Sequence, residues 1–92
     1  MSDNARETHE ALVERAIADR KAIEGMTKYE VEQAKGRPFM INTGHQIEDA
    51  VRQAGATELW IYLNPRQEGV FFNFRGLVIA SSDTLEVAKN AK

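Results

Sequence analysis

From Leu59 to Ile79 the chain carries twelve large apolar side chains, and they fall at consecutive positions rather than at every second one. Turn signals cut this stretch into three short runs, Glu58–Leu63, Val70–Phe74 and Leu77–Ala80, separated by the loop Asn64-Pro65-Arg66-Gln67-Glu68-Gly69 and by Arg75-Gly76. Runs of this length joined by short turns predict a three-stranded antiparallel meander. Side chains in a strand alternate between faces, so Leu59, Ile61 and Leu63 share one side and Trp60 and Tyr62 the other. In the next run Val70, Phe72 and Phe74 oppose Phe71 and Asn73, and in the last Leu77 and Ile79 oppose Val78 and Ala80. A meander with one wet face would show polar residues at alternate positions. Here only Asn73 does, so both faces of the sheet need a cover.

The cover has to come from a short chain. Ninety-two residues suffice for one hydrophobic core, and the expectation is a single α+β domain over residues 1–92. Twelve of the apolar residues are alanine, which leaves 27 larger ones, and the first 25 residues contribute only Leu12, Val13, Ile17 and Ile23 to the branched set. Composition changes near Gly36: one aromatic, Tyr29, precedes it and six follow. The first part reads as helix and the second as sheet, two layers of one fold.

Residues 4–24 hold no Gly or Pro and space Ala5, His9, Leu12, Val13, Ala16, Ile17 and Ile23 by three and four. That spacing predicts a long amphipathic N-terminal helix, opened by Asn4 with Glu7 and stopped at Gly25. The stripe is poor, since three of its seven members are Ala or His and Arg20 interrupts it. Thr27 with Glu30 and a stop at Gly36 favour a short helix over residues 28–35, although Lys28-Tyr29-Glu30-Val31-Glu32 also alternates as a strand would. Phe39-Met40-Ile41-Asn42 is expected as a short buried strand. Thr43 with Gln46 then opens a helix over 44–54 with Ile47, Ala50, Val51 and Ala54 on one face, and Asp83 with Glu86 starts a last helical turn through Asn90, where Lys89 and Lys92 suit its negative end. The predicted order is α(α)βαβββ plus the short C-terminal helix. The sheet is mainly antiparallel.

Several function classes are excluded or disfavoured by composition. The chain has no cysteine, hence no disulfide, thiolate nucleophile or cysteine-ligated metal. A net charge of −2 is the wrong sign for a protein whose main partner is a phosphate backbone, which weighs against nucleic acid. No run approaches the 18 or so apolar residues of a membrane span, and the opening MSDNARETHE is polar and unlike a secretory signal. A cytoplasmic location is the expectation.

A search for assembled chemistry returns little. His9-Glu10 begins like the zinc-binding H-E-x-x-H, but Val13 stands where the second histidine belongs. His9 is then a partly buried member of its helix and His45 a first-turn residue without a visible partner. The six glycines are dispersed, so no phosphate cradle forms, and Thr43-Gly44-His45 reads as a cap before it reads as an anion site. Ser81 and Ser82 lie in no nucleophile elbow. The acids Glu48-Asp49 and Glu30 with Glu32, and the bases Arg20, Lys21, Lys28, Lys35 and Arg37, read as solvated faces. No cofactor or metal is implied.

The reading that remains is a small non-catalytic protein that works by protein–protein contact, with a second copy of the chain as one partner. If the helices cover one sheet face only, Trp60, Tyr62 and Phe71 form a contact patch, anchored by Arg66 and Arg75 at the hairpin ends. Small acidic cysteine-free α+β chains are frequent among phage-encoded modulators of host enzymes, inhibitors of defence complexes such as anti-CRISPR proteins included. That likeness is one of size and composition, and no residue carries it. Two alternatives stand beside it: a ligand- or nucleic-acid-binding module that stacks on Trp60, Tyr62 and Phe71 with Arg37, Arg66 and Arg75 on phosphates, and a small enzyme whose site, with His45, is completed between subunits.

Overall fold

A computed structural model describes residues 8–64 and 66–83 of the chain. The elements run α1 (His9–Ala18), α2 (Lys28–Lys35), β1 (Met40–Thr43), a 3-10 turn (Gly44–Gln46), α3 (Asp49–Gln53), β2 (Glu58–Tyr62), β3 (Glu68–Phe72) and β4 (Val78–Ser81). The four strands form one antiparallel sheet in chain order, β1-β2-β3-β4. The class is α+β, and the expected three-stranded meander matches in part: β1 joins it as a fourth strand, and β3 takes Glu68 and Gly69 from the expected loop and ends at Phe72. Residues 28–35 are a helix: Thr27 Oγ1 accepts from the Glu30 amide at 3.1 Å while Glu30 Oε1 accepts from the Thr27 amide at 2.9 Å. The two bonds satisfy donors that an alternating strand would have left to a neighbour. Among the described residues, no helix is long and apolar enough to cross a membrane.

Register decides which sheet face is covered. Trp60 stands opposite Val70 and Glu58 opposite Phe72, so Trp60, Tyr62, Val70, Phe72 and Val78 share a face. That face packs with Val13 and Ala16 of α1, Val31 and Ala34 of α2, and Ala22 and Met26 between them in one buried cluster. The Trp60 and Phe72 rings meet at 4.8 Å between centroids, tilted by 56°. Burial at about 25 cal/mol per Å² of apolar surface makes this cluster the main stabilising term of the fold. The opposite face, with Leu59, Ile61, Phe71 and Ala80, is half-buried.

The N-terminal helix is shorter than its periodicity predicts. It starts at the Thr8 cap, whose hydroxyl accepts from the Ala11 amide at 3.1 Å, and stops at Ala18; Asn4 and Glu7 lie outside the described residues. The stop is Arg20 in a left-handed conformation at φ 59°, with its amide bonded to the Ile17 carbonyl and the Lys21 amide to the Ala16 carbonyl. These are the two bonds of a Schellman end, where glycine is the usual resident. Gly25 is therefore not the stop. The apolar pattern runs on past the helix because Ala22 is buried and Ile23 partly so, but the chain there is not helical and turns at Glu24-Gly25 beside β4. The Val78 amide donates to the Met26 carbonyl at 2.9 Å and the Gly25 amide to the Val78 carbonyl at 2.8 Å, and Thr27 bridges to Leu77.

The 44–54 helix is also corrected. Ile47 is extended (φ −100°, ψ 137°) and breaks the segment into the 3-10 turn and the single short helix α3. Ile47 is buried, whereas Ala50 and Ala54, expected on the same inward face, are exposed. His9 is exposed rather than part of the buried stripe, with its ring leaning over Gly25. Of the expected C-terminal helical turn, opened by Asp83 with Glu86 and running through Asn90, everything after Asp83 lies outside the described residues.

Candidate interaction surface

The side chains expected to form one patch are not together. Trp60 and Tyr62 are each 4% exposed, sealed beneath α1 and α2, while Phe71 lies on the opposite face because Leu59, not Trp60, is its partner across the strands. Arg75 sits at the β3–β4 turn with its guanidinium 5.6 Å from the centre of the exposed Phe74 ring. Asn73, the one polar interruption of that stretch, builds the turn: its side-chain oxygen accepts from the Arg75 and Leu77 amides at 2.9 and 3.1 Å. Arg66 lies at the other end of the sheet, with Nε 3.1 Å from Glu68 Oε2. His45, in the 3-10 turn, is exposed.

At that second end a groove of about 690 Å³ opens between the C-terminal ends of α1 and α2 and the start of β3. Its floor is a buried charge cluster. Lys35 Nζ lies 2.6 Å from Glu68 Oε1, 3.1 Å from Asp83 Oδ2 and 3.2 Å from the Arg20 carbonyl. The Lys35, Glu68 and Asp83 side chains are all below 10% exposed. Asp83 Oδ2 also accepts from the Ala22 amide at 3.0 Å, and Ser81 Oγ donates to the Ala22 carbonyl at 2.6 Å. The ammonium donates to Glu68 and to the Arg20 carbonyl and forms an ion pair with Asp83. The cluster ties α2 to β3 and to the chain beyond β4. Reading Lys35 as a solvated base is therefore corrected, and so is Lys28, which is half-buried and 2.6 Å from Glu58 Oε1.

Two ionisable groups of the covered face are displaced from their ordinary values. Burial works to raise the Glu58 carboxyl, but hydrogen bonds from Lys28 and from Trp60 Nε1, with the Lys28 charge, outweigh it and hold the group low. Burial, with the nearby Glu32 carboxylate, pushes the Tyr62 hydroxyl up, and that hydroxyl donates to the Gly36 carbonyl at 2.8 Å. Both effects belong to packing. No group of three His, Asp or Glu side chains able to hold a metal occurs among the described residues.

What is exposed is the other end of the strand order. Among the described residues β1 has β2 on one side and no strand on the other; Met40 (46% exposed) and Ile41 (48%) lie on it, Phe39 (65%) comes just before it, and the exposed Leu63 follows β2. This overturns the expectation of a buried strand at Phe39–Asn42. A run of apolar residues marks a strand, but burial depends on what flanks it in the sheet. A Pro at position 38 and a length of four residues were the available signs of an edge.

The chain matches no family model, no curated protein and no solved structure at a significant level.

Proposed function

We propose that this chain is a small non-catalytic protein that works by protein–protein contact, and that its contact surface is the β1 edge with Phe39, Met40, Ile41 and Leu63. The supporting observation is the exposure of Met40 and Ile41 on β1, with Phe39 just before it and Leu63 just after β2, where among the described residues β1 has a neighbouring strand on one side only. Large apolar groups gathered on the surface of a small protein mark interaction sites, and an open strand edge adds unpaired backbone donors and acceptors to them. The size-class likeness to inhibitors of enzyme complexes fits the same reading, since an inhibitor needs a surface and no chemistry.

Stacking of bases on Trp60 and Tyr62 loses its support, because both rings are covered. The test is affinity capture of the tagged chain from cells that naturally make it, comparing the wild type with Ile41→Lys and with Tyr29→Ala, a substitution at an exposed site on α2. Loss of the captured partner with Ile41→Lys alone, at an unchanged unfolding midpoint, is the expected result. Equal capture by all three would move the contact elsewhere.

A further inference from the structure

We propose that the occupant of the β1 edge is a second copy of this chain, paired antiparallel about Ile41 so that two four-stranded sheets become one of eight strands. This rests on the reading of β1 as the contact surface and adds who the partner is.

The direction of the backbone groups comes from the register. Val78 turns its amide and carbonyl outward to Met26 and Gly25, so its partner Phe72 turns away from β4 and toward β2, where it meets Glu58. Polar backbone groups alternate from residue to residue along a strand. Leu59 therefore faces β1, where its partner is Asn42. It follows that Met40 and Asn42 bond inward and that Ile41 presents its amide and carbonyl to the open side, while the Thr43 amide is taken by Gln46 Oε1 at 3.0 Å. The Phe39 amide is already used, donating to the Ile61 carbonyl at 2.8 Å.

A two-fold axis at Ile41 uses those free groups. Each Ile41 amide donates to the Ile41 carbonyl of the other copy, with Met40 opposite Asn42, Phe39 opposite Thr43 and Arg37 opposite His45. Pro38 to Gly44 contains no charged residue. A charged partner strand would find no counter-charge there, and a copy of the same strand brings no like charges together. Closed two-fold pairing also requires a surface complementary to itself, which an uncharged antiparallel edge supplies. Ile41 meets Ile41 on the side of the covered face, and Met40 extends the opposite one. An edge of four residues buries less than the roughly 1,200 Å² of a stable complex, so the dimer forms weakly and is concentration-dependent.

Sedimentation equilibrium from low micromolar to millimolar concentration tests this. The wild type is expected to move from the mass of one chain toward two. Ile41→Lys is expected to stay at one, and so is Ile41→Pro, which removes an amide no intrachain bond uses and so retains a cooperative unfolding transition. The absence of cysteine allows a second readout. Paired residues on such an axis lie about 5.5 Å apart, within disulfide reach, so Ile41→Cys should cross-link on oxidation many-fold faster than Tyr29→Cys on exposed α2. A wild type that stays at one chain throughout, or equal cross-linking of the two cysteine variants, overturns the proposal. A chain that is monomeric yet loses a captured partner with Ile41→Lys ends the self-pairing and leaves the contact surface standing.

Discussion

The two edges of this sheet are treated in opposite ways by the same chain. β4 is sealed: residues 22–27 run along it, Val78 exchanges both of its backbone hydrogen bonds with them, and Ser81 and Asp83 hold Ala22 from beyond the strand. Among the described residues no strand pairs with the other side of β1, and Phe39, Met40 and Ile41 stand exposed at its start. A strand edge left open invites another strand. Natural sheets blunt such edges with charge, and β1 itself carries none. The difference separates the part of the molecule that makes it fold from the part available for contact.

The largest test of the sealed side is Lys35→Met. It removes the ammonium shared by Glu68 and Asp83, which leaves the buried Asp83 carboxylate without its cation and Glu68 with Arg66 alone. Breaking a buried pair in this way costs about 3–5 kcal/mol, a large share of the roughly 5–14 kcal/mol that a chain of this length commands. Urea unfolding should show the loss as a lower midpoint. A fall below about 1 kcal/mol would mean that water reaches the cluster and that it does little to hold the edge shut.

Proline offers the most direct comparison of the edges, because it deletes one amide donor. At Val78 that donor binds the Met26 carbonyl inside the core, and the site is 1% exposed. Val78→Pro should cost on the order of 3 kcal/mol through the lost bond, the stranded carbonyl and the smaller side chain. Ile41→Pro should cost under about 1 kcal/mol in dilute solution, as proline is tolerated where a strand amide faces solvent. Thermal unfolding of the two variants side by side reads the difference. Equal losses would show that the Ile41 amide points inward and that the register argument is wrong.

The strands were legible in outline from the sequence because turn residues separate them, though β3 starts two residues before its expected position, and α2 was legible because Thr27 and Glu30 cap it. Which sheet face the helices would take was not legible, since Leu59-Trp60-Ile61-Tyr62 offers apolar groups to both. The consequence fell on the candidate site: Trp60 and Tyr62 went under the helices, and Phe71, assigned to their patch, faced the other way. The edges were hidden for a different reason. Ile23 was counted in the apolar stripe of α1, so partly buried, non-helical chain looked like helix. The apolar run at β1 in turn looked like core. Lys35 was read as a surface base because Glu68 and Asp83 are remote in sequence and only the fold brings them to it.

Tyr62 gives a smaller and pH-dependent test at the groove beside the sealed side. Tyr62→Phe removes the hydrogen bond to the Gly36 carbonyl, at a cost of about 1 kcal/mol near neutral pH. The folded hydroxyl titrates above its ordinary value of 10.0. Its neutral form is thus favoured by folding, so its contribution is whole below pH 10 and declines as the pH rises toward the folded value. The advantage of wild type over Tyr62→Phe should accordingly shrink above pH 10 in chemical unfolding. A constant difference across that range would place the hydroxyl in water.

Arg20 is where the chain leaves α1 to run along β4, and it holds φ 59°, a conformation that costs an ordinary side chain about 1–2 kcal/mol. The Arg20 side chain is exposed, and the groups that use this residue are its amide, bonded to Ile17, and its carbonyl, bonded to Lys35. Glycine keeps both and relieves the strain, while the unfolded chain gains freedom worth about 0.4–1 kcal/mol. The balance favours Arg20→Gly by roughly 0.5 kcal/mol, and Arg20→Val, branched at Cβ, should destabilise by more than that. Because the turn feeds only the sealed edge, both variants should shift the unfolding midpoint in these opposite directions while leaving the concentration dependence of the β1 contact unchanged. A change in self-association with Arg20→Gly would show that the two edges are coupled through the sheet, and that the open one is not an independent surface.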